Sequence, residues 1–145
     1  MITIRKATPD DIDAVVAIER EGLRLWDRGQ FLAEFRFDFS DFIVIEELGS
    51  VSGFAVSWNI ADEIQLNNIG ISPGRRNRGL GTALMNRIMA PPDRRVLARK
   101  VVLEVSVSNI PAIKFYEKLG FVPNGHRKNF YRDGDALLME KIVSC

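Results

Sequence analysis

Three arginines and three glycines fall within SPGRRNRGLGTALM (residues 72–85), a run that then turns abruptly into helix formers. Backbone N–H groups at a helix N-terminus lack intrahelical partners and carry a partial positive charge. A glycine-rich approach lets a phosphate come close enough to accept several of them. Here Gly79 and Gly81 remove side chains from the approach, while Arg75, Arg76 and Arg78 add positive charge. A solvated strand-to-helix turn, with glycines serving only tight geometry, accounts for the same residues. Two familiar phosphate loops fail on spacing. Leu80-Gly81 stands where a P-loop needs Lys-Ser/Thr, and the stretch 79–84 lacks the third glycine of the dinucleotide fingerprint.

Two further side chains have chemistry to offer. Glu104 interrupts the β-branched run KVVLEVSVS (100–108). Val101, Leu103, Val105 and Val107 share one face of such a strand, and Val102, Glu104, Ser106 and Ser108 the other. A half-exposed face explains that glutamate, and so does a carboxylate placed to move a proton. Tyr116 lies two turns into NIPAIKFYEKLG (109–120), either packing beside Ile113 and Leu119 or turning its hydroxyl to a reaction. Gly70, isolated inside the strand NNIGIS, marks a bulge or a close approach. His126 is the only histidine, and Cys145, the last residue, is the only cysteine, so no zinc site or internal disulfide is expected.

The elements that must hold these residues are legible in outline. Ile2 to Lys6 alternates as a strand. TPDDIDAVVAIEREGL opens a helix with Thr8 as N-cap and Pro9 at its first position, and Ile12, Val15, Val16 and Glu19 fall on one face. The apolar cluster Phe31, Leu32, Phe35 and Phe37 predicts a second helix over Gly29 to Phe37. FIVIEE (42–47) and VSGFAVSW (51–58) read as a hairpin turning at Leu48-Gly49-Ser50. A strand over 63–72 precedes a helix from Leu80 to Met89, stopped by Pro91-Pro92. After strand 100–108, Asn109 caps a helix that Gly120 ends, and FVPNGHR and DALLMEKIV supply two last strands. The order βααβββαβαββ predicts an α/β class with a mixed, mostly antiparallel sheet and helices on both faces.

The 145 residues suit one domain spanning 1–145, without repeats or linkers. A domain of this length buries roughly 68–70% of its unfolded surface and needs no metal or disulfide to stay folded. Twenty basic against nineteen acidic side chains, a net charge of +1, give no support to general nucleic-acid or membrane binding. No apolar run approaches the ~20 residues that span a bilayer, and the N-terminus lacks signal-peptide character. A soluble cytoplasmic protein, monomeric or weakly dimeric, is expected.

R-N-R-G-L-G (76–81), placed after a strand and before a helix, resembles the acetyl-CoA loop of the GNAT superfamily of N-acetyltransferases. LEV-x-x-SN-x-x-AI-x-x-YE-x-LGF (103–121), DE-x-x-L-x-NI (62–69) and R-x-N-x-Y (127–131) bring the resemblance closer, to the bacterial ribosomal-protein-alanine N-acetyltransferases. It is dense from residue 62 to 139 and thin before 60. The resemblance implies a single GNAT-like domain with acetyl-CoA as co-substrate. Amides of Arg76, Asn77, Arg78, Gly79, Leu80, Gly81 and Thr82 would hold the pyrophosphate. Ile69, Gly70 and Ile71, in a strand bulged at Gly70, would face the pantetheine arm and acetyl carbonyl, with Asn109 beside them.

The same resemblance makes Glu104 the general base and Tyr116 the proton donor to the leaving thiolate. An α-amine with a pKa of about 7.7–8.0 is largely protonated at neutral pH and cannot attack a thioester until its proton is removed. The acceptor implied is the N-terminal α-amine of a protein, the alanine of a small-subunit ribosomal protein. Trp26, Asp62, Glu63 and Tyr131 are its candidate contacts. Three departures fall on that side: Leu25 for the usual proline, Phe130 for a tyrosine, and a shorter final hairpin. A small-molecule amine acceptor, or a non-catalytic acetyl-CoA-binding module, are the alternatives.

Overall fold

Among the described residues, seven strands and four helices follow one another in the order the sequence predicts, and each helix lies where its apolar stripe can be covered. The computed structural model describes residues 1–22, 24–92, 98–131 and 134–143, with Tyr131 described in its backbone alone. Cys145 therefore lies outside the described residues. β1 (Ile2–Lys6) leads through a 3-10 turn (Pro9–Asp11) into α1 (Ile12–Glu21). The turn is fastened by the Asp11 carboxylate, which accepts the Thr8 amide at 2.8 Å and both ends of the Arg5 guanidinium, each at 2.8 Å. The predicted Pro9 start is thus 3-10, and the α-helix proper begins three residues later.

α2 (Arg28–Glu34) is set by a reciprocal cap. Asp27 Oδ1 accepts the Gln30 amide at 2.9 Å, and Gln30 Oε1 accepts the Asp27 amide at 2.8 Å. It stops at Glu34, short of the predicted Phe37. The Glu34 carboxylate takes the Trp58 indole N–H and the Ser40 hydroxyl, each at 2.7 Å. Phe35 stacks on Phe42, and Phe37 and Phe39 stack together against Trp58. The aromatic cluster there is a fold-back onto the sheet and not a helical stripe.

The strands β2 (Ser40–Glu47), β3 (Ser50–Ile60), β4 (Glu63–Ile71), β5 (Lys100–Ser106), β6 (Val122–Tyr131) and β7 (Gly134–Ile142) complete one sheet in the order β1-β2-β3-β4-β5-β7-β6. All neighbours are antiparallel except β4 and β5. α3 (Leu80–Met89) lies in the crossover between those two, and α4 (Ile110–Lys118) follows β5. One core joins Val15, Val16, Phe31, Val44, Phe54 and Val56 under α1 and α2; the other joins Ile64, Leu84, Ile88, Val101, Leu103 and Phe121 under α3 and α4. Helices therefore cover both faces.

The centre of the sheet is where the fold makes room. β4 and β5 pair only from Glu63↔Lys100 to Leu66↔Leu103. Immediately beyond, the register of β4 against β3 slips between Asn68↔Val56 and Leu66↔Ser57, leaving Asn67 as the extra residue of a bulge. The expectation that the bulge sits at Gly70 is corrected here: Gly70 pairs regularly with Phe54. A Cβ on Gly70 would lie 2.7 Å from Phe54 Cε1 and 3.3 Å from Ile18 Cγ2, so this glycine serves the close approach of α1. The parallel strands fork after Leu66 and Leu103.

Candidate active site

Glu104 is the first residue of β5 beyond the last rung shared with β4, so it lines the mouth of the fork. The space between the strands is a cavity of about 300 Å³. Leu66, Asn67, Asn68 and Ile69 form one wall; Glu104, Val105 and Ser106 form another; Asn109, Ala112 and Tyr116 close it from α4. The predicted strand faces hold: Val101, Leu103 and Val105 are buried, while Val102, Glu104 and Ser106 are half-buried. Tyr116 is buried against Phe115 and Phe121, with ring centroids 5.2 and 5.7 Å away. Asn109 caps α4, its Oδ1 accepting the Ala112 amide at 3.3 Å.

Two larger spaces open from this fork. The first, about 660 Å³, runs from β4 to the N-terminus of α3. The approach to that helix takes left-handed backbone at Asn77 (φ 63°) and Gly79 (φ 80°). The first intrahelical bond of α3 runs from the Ala83 amide to the Gly79 carbonyl at 3.0 Å, so the preceding amides are the orphans of this helix start. Ile69, Gly70 and Ile71 line one side of this cleft; Arg76, Asn77, Gly79, Leu80, Gly81 and Thr82 line the other; Asn109 and Tyr116 stand at its inner end. The sequence thus brings together ten of its eleven expected cofactor-side residues here. Arg78 is the exception, because it lies outside the lining and donates to Glu47 Oε1 at 3.2 Å. Arg75 meets the same oxygen at 2.6 Å. Two of the three loop arginines are therefore held by a carboxylate from the end of β2, and Arg76 is exposed, with its Nε donating to the Ile71 carbonyl.

The second space is a basin of about 740 Å³ on the other side of Glu104. Its walls come from separate elements: Leu25 and Trp26 before α2, Trp58 on β3, Gln65 and Asn67 on β4, and Arg127 and Phe130 on β6. Arg127 reaches across the intervening β7 to Glu104 Oε1 at 3.0 Å, and its guanidinium lies 4.9 Å from the Phe130 ring centroid. Trp26 is anchored by its ring against Phe31.

Of the residues expected to meet the acceptor, Trp26 is in the basin. Asp62 and Glu63 are not among its lining: Asp62 faces Arg99 at 3.9 Å, and Glu63 meets Lys100 at 3.4 Å. They close the far end of the β4–β5 ladder. The side chain of Tyr131 lies outside the described residues. His126 pairs with Asp135 at 3.2 Å. Sequence reading missed Arg127, Trp58 and Glu47 as site-forming residues. The R-x-N-x-Y pattern already contained Arg127, but only the twist that sets β6 beside β7 brings it to Glu104.

Residues 12–121 match the family model described as acetyltransferase (GNAT) family. A Bacillus subtilis (strain 168) protein assigned as a ribosomal protein bS18-alanine N-acetyltransferase is 36% identical over 140 residues, covering 94% of this chain and 92% of that one. The Escherichia coli (strain K12) ribosomal protein bS18-alanine N-acetyltransferase is 32% identical over 149 residues, covering 99% of each. The crystal structure of the E. coli ribosomal-protein-S18-alanine N-acetyltransferase superposes with a TM-score of 0.90 at 29% identity, covering 100% of this chain and 96% of that one.

Proposed function

The chain belongs to the GNAT acetyltransferase family, and we propose that it transfers the acetyl group of acetyl-CoA to the N-terminal α-amine of a protein, the alanine end of a bS18-type ribosomal protein. The observation that carries this reading is the fork itself. A carboxylate and a phenol line one small cavity, with a backbone-lined cleft opening on one side and a side-chain-lined basin on the other.

Acetyl-CoA fits the cleft because the orphan amides of α3, approached over Gly79, suit a diphosphate, and Arg76 adds charge beside them. Bound there, the thioester supplies the electrophilic acetyl carbonyl. Ile69, Gly70 and Ile71 line the cleft between the loop and the fork, where backbone donors would meet the carbonyl oxygen as it gains charge. Glu104 accepts the proton of the incoming ammonium, directly or through a water, and so frees the lone pair for attack. Tyr116 donates its hydroxyl proton to the departing thiolate, and the second proton of the amine, shed as the amide forms, passes through solvent to restore the phenol. A phenol of pKa about 10 against a thiol near 8.5 makes that transfer uphill by about 2 kcal/mol, so it is concerted with C–S cleavage.

The acceptor occupies the basin, its α-amine at Glu104 and its following residues along Trp26, Trp58 and Phe130. The reaction and its ribosomal acceptor put the enzyme in the cytoplasm.

An acceptor panel tests the reading. An alanine-initiated peptide of the ribosomal type is acetylated at its α-amine, with kcat/KM at least 100-fold above spermidine or free alanine. Turnover of small amines alone would replace the peptide acceptor with a small-molecule one. Acetyl-CoA binding without turnover of any amine would leave a binding module.

A further inference from the structure

Glu19 is only 3% exposed, and nothing in the proposed chemistry uses it. Its Oε2 accepts two hydrogen bonds, from Asn68 Nδ2 at 2.7 Å and from the Trp26 amide at 2.9 Å. Its backbone carbonyl accepts the amides of Gly22 at 3.1 Å and Arg24 at 3.2 Å. Arg24 takes left-handed backbone (φ 56°), an uncommon state for a non-glycine residue that needs such fastening. Gly22, Arg24 and Trp26, on the way into the basin, are therefore each fastened to the side chain or the carbonyl of one residue. At the other end of the tie, Asn68 follows the bulge residue Asn67 and lines the fork.

Stability alone does not account for a carboxylate here. Burial pushes the Glu19 carboxyl upward against the donors from Asn68, Trp26 and Leu25, and a well-packed apolar residue in place of a buried charge is often neutral or stabilising.

We propose that Glu19 is a positioning residue of the acceptor site: it fixes the Leu25–Trp26 wall of the basin against the Asn67–Asn68 wall of the fork, and so sets affinity for a peptide acceptor. This rests on the peptide-acceptor reading above. Glu19 also lines the thioester cleft at the end of α1, but both of its side-chain bonds run to Asn68 and Trp26, and the loop before α3 is tied down separately by Glu47.

Steady-state kinetics of Glu19→Leu and Glu19→Gln test the proposal. Glu19→Leu keeps the volume and removes both acceptor contacts. It raises KM for the alanine peptide at least tenfold and leaves KM for acetyl-CoA within twofold. Glu19→Gln, with its amide oxygen in the place of Oε2, keeps both bonds, from the Trp26 amide and from Asn68 Nδ2; its peptide KM returns to within threefold of wild type. A Glu19→Leu enzyme with peptide KM within twofold of wild type overturns the proposal, as does one in which both KM values rise alike.

Amide hydrogen exchange on the wild-type protein gives a reading independent of catalysis and of variant folding. The Trp26 amide exchanges at least 100-fold more slowly than an unstructured amide; exchange at the unstructured rate overturns the tie. A wild-type enzyme that leaves the peptide unmodified fails the functional reading instead, and the exchange result still decides whether Glu19 holds the connection.

Discussion

The cleft at the start of α3 and the basin across the fork are of similar size, yet they are made of different material. The cleft centres on one continuous stretch, the loop and first turn of α3, with Gly79 supplying a left-handed step; β4, the end of α1 and α4 close it around that stretch. The basin is side chains contributed from before α2 and from β3, β4, β5, β6 and β7, held by Arg127 reaching over β7 and by Trp26 hanging from Glu19. A backbone site is specified by a short run of sequence and tolerates only residues its φ values admit. A side-chain site depends on tertiary placement and varies residue by residue. Two of the three family departures, Leu25 and Phe130, line the basin, while the turn of the short final hairpin lies outside the described residues. The reaction is therefore expected to be common to the family while the acceptor preference is this chain's own.

The largest expected effect falls where the two regions meet. Glu104→Gln lowers kcat by about 10²- to 10⁴-fold while acetyl-CoA affinity, measured by calorimetry, stays within threefold. An unchanged kcat would remove the base from Glu104 and break the division at its boundary. Next, Gly79→Val forces a β-branched residue into φ 80°. A backbone strain of about 1–3 kcal/mol weakens acetyl-CoA binding roughly 5- to 100-fold, with peptide KM little changed; equal losses on both substrates would show that the regions are not separable.

On the basin side, Phe130→Ala removes the ring beneath Arg127. A cation–π contact at an exposed site is worth about 0.5–1 kcal/mol, so peptide KM rises about two- to fivefold and acetyl-CoA KM does not move.

The smallest effects concern pH and stability. The Arg5 guanidinium, with the Thr8 amide, holds the Asp11 carboxyl below the usual range. A depressed folded pKa contributes stability above the unfolded value of about 3.9 and loses it as pH falls through the folded one. Thermal melts from pH 6 downward therefore show a decline below about pH 4, and Asp11→Asn flattens it. Glu19, raised by burial, has the opposite sign: its contribution is fully present below the unfolded pKa and is lost as pH rises through the folded one. Glu19→Leu removes that loss. Melts in which both variants change the same limb would contradict the assignment.

The same division explains what sequence reading reached. The bounds of α3 were legible because Gly79 and Pro91 punctuate its two ends, and the strand face of Glu104 followed from strict alternation. The left-handed approach to α3 and its orphan amides were legible because the pattern that makes them is local. Failures came wherever a distant partner decided. Phe35 and Phe37 extend the apolar cluster of α2 but are drawn to Phe42, Phe39 and Trp58. Gly70 reads as a bulge, yet Asn67 is the extra residue, and only the pairing with β3 reveals it. The Arg78 side chain looks like those of its neighbours in the loop, and only the fold shows it paired with Glu47, thirty-one residues earlier. Arg127 and Glu104 are brought together across a strand that neither belongs to.

Amide and indole NMR resonances of the labelled protein, titrated first with coenzyme A and then with an alanine-initiated peptide, test the division most directly. Coenzyme A shifts the backbone amides of residues 77–82 and 69–71, and the peptide then shifts the Trp26 and Trp58 indoles. Loop amides that stay still on adding coenzyme A, or a peptide that perturbs the loop and leaves both indoles unmoved, would contradict it.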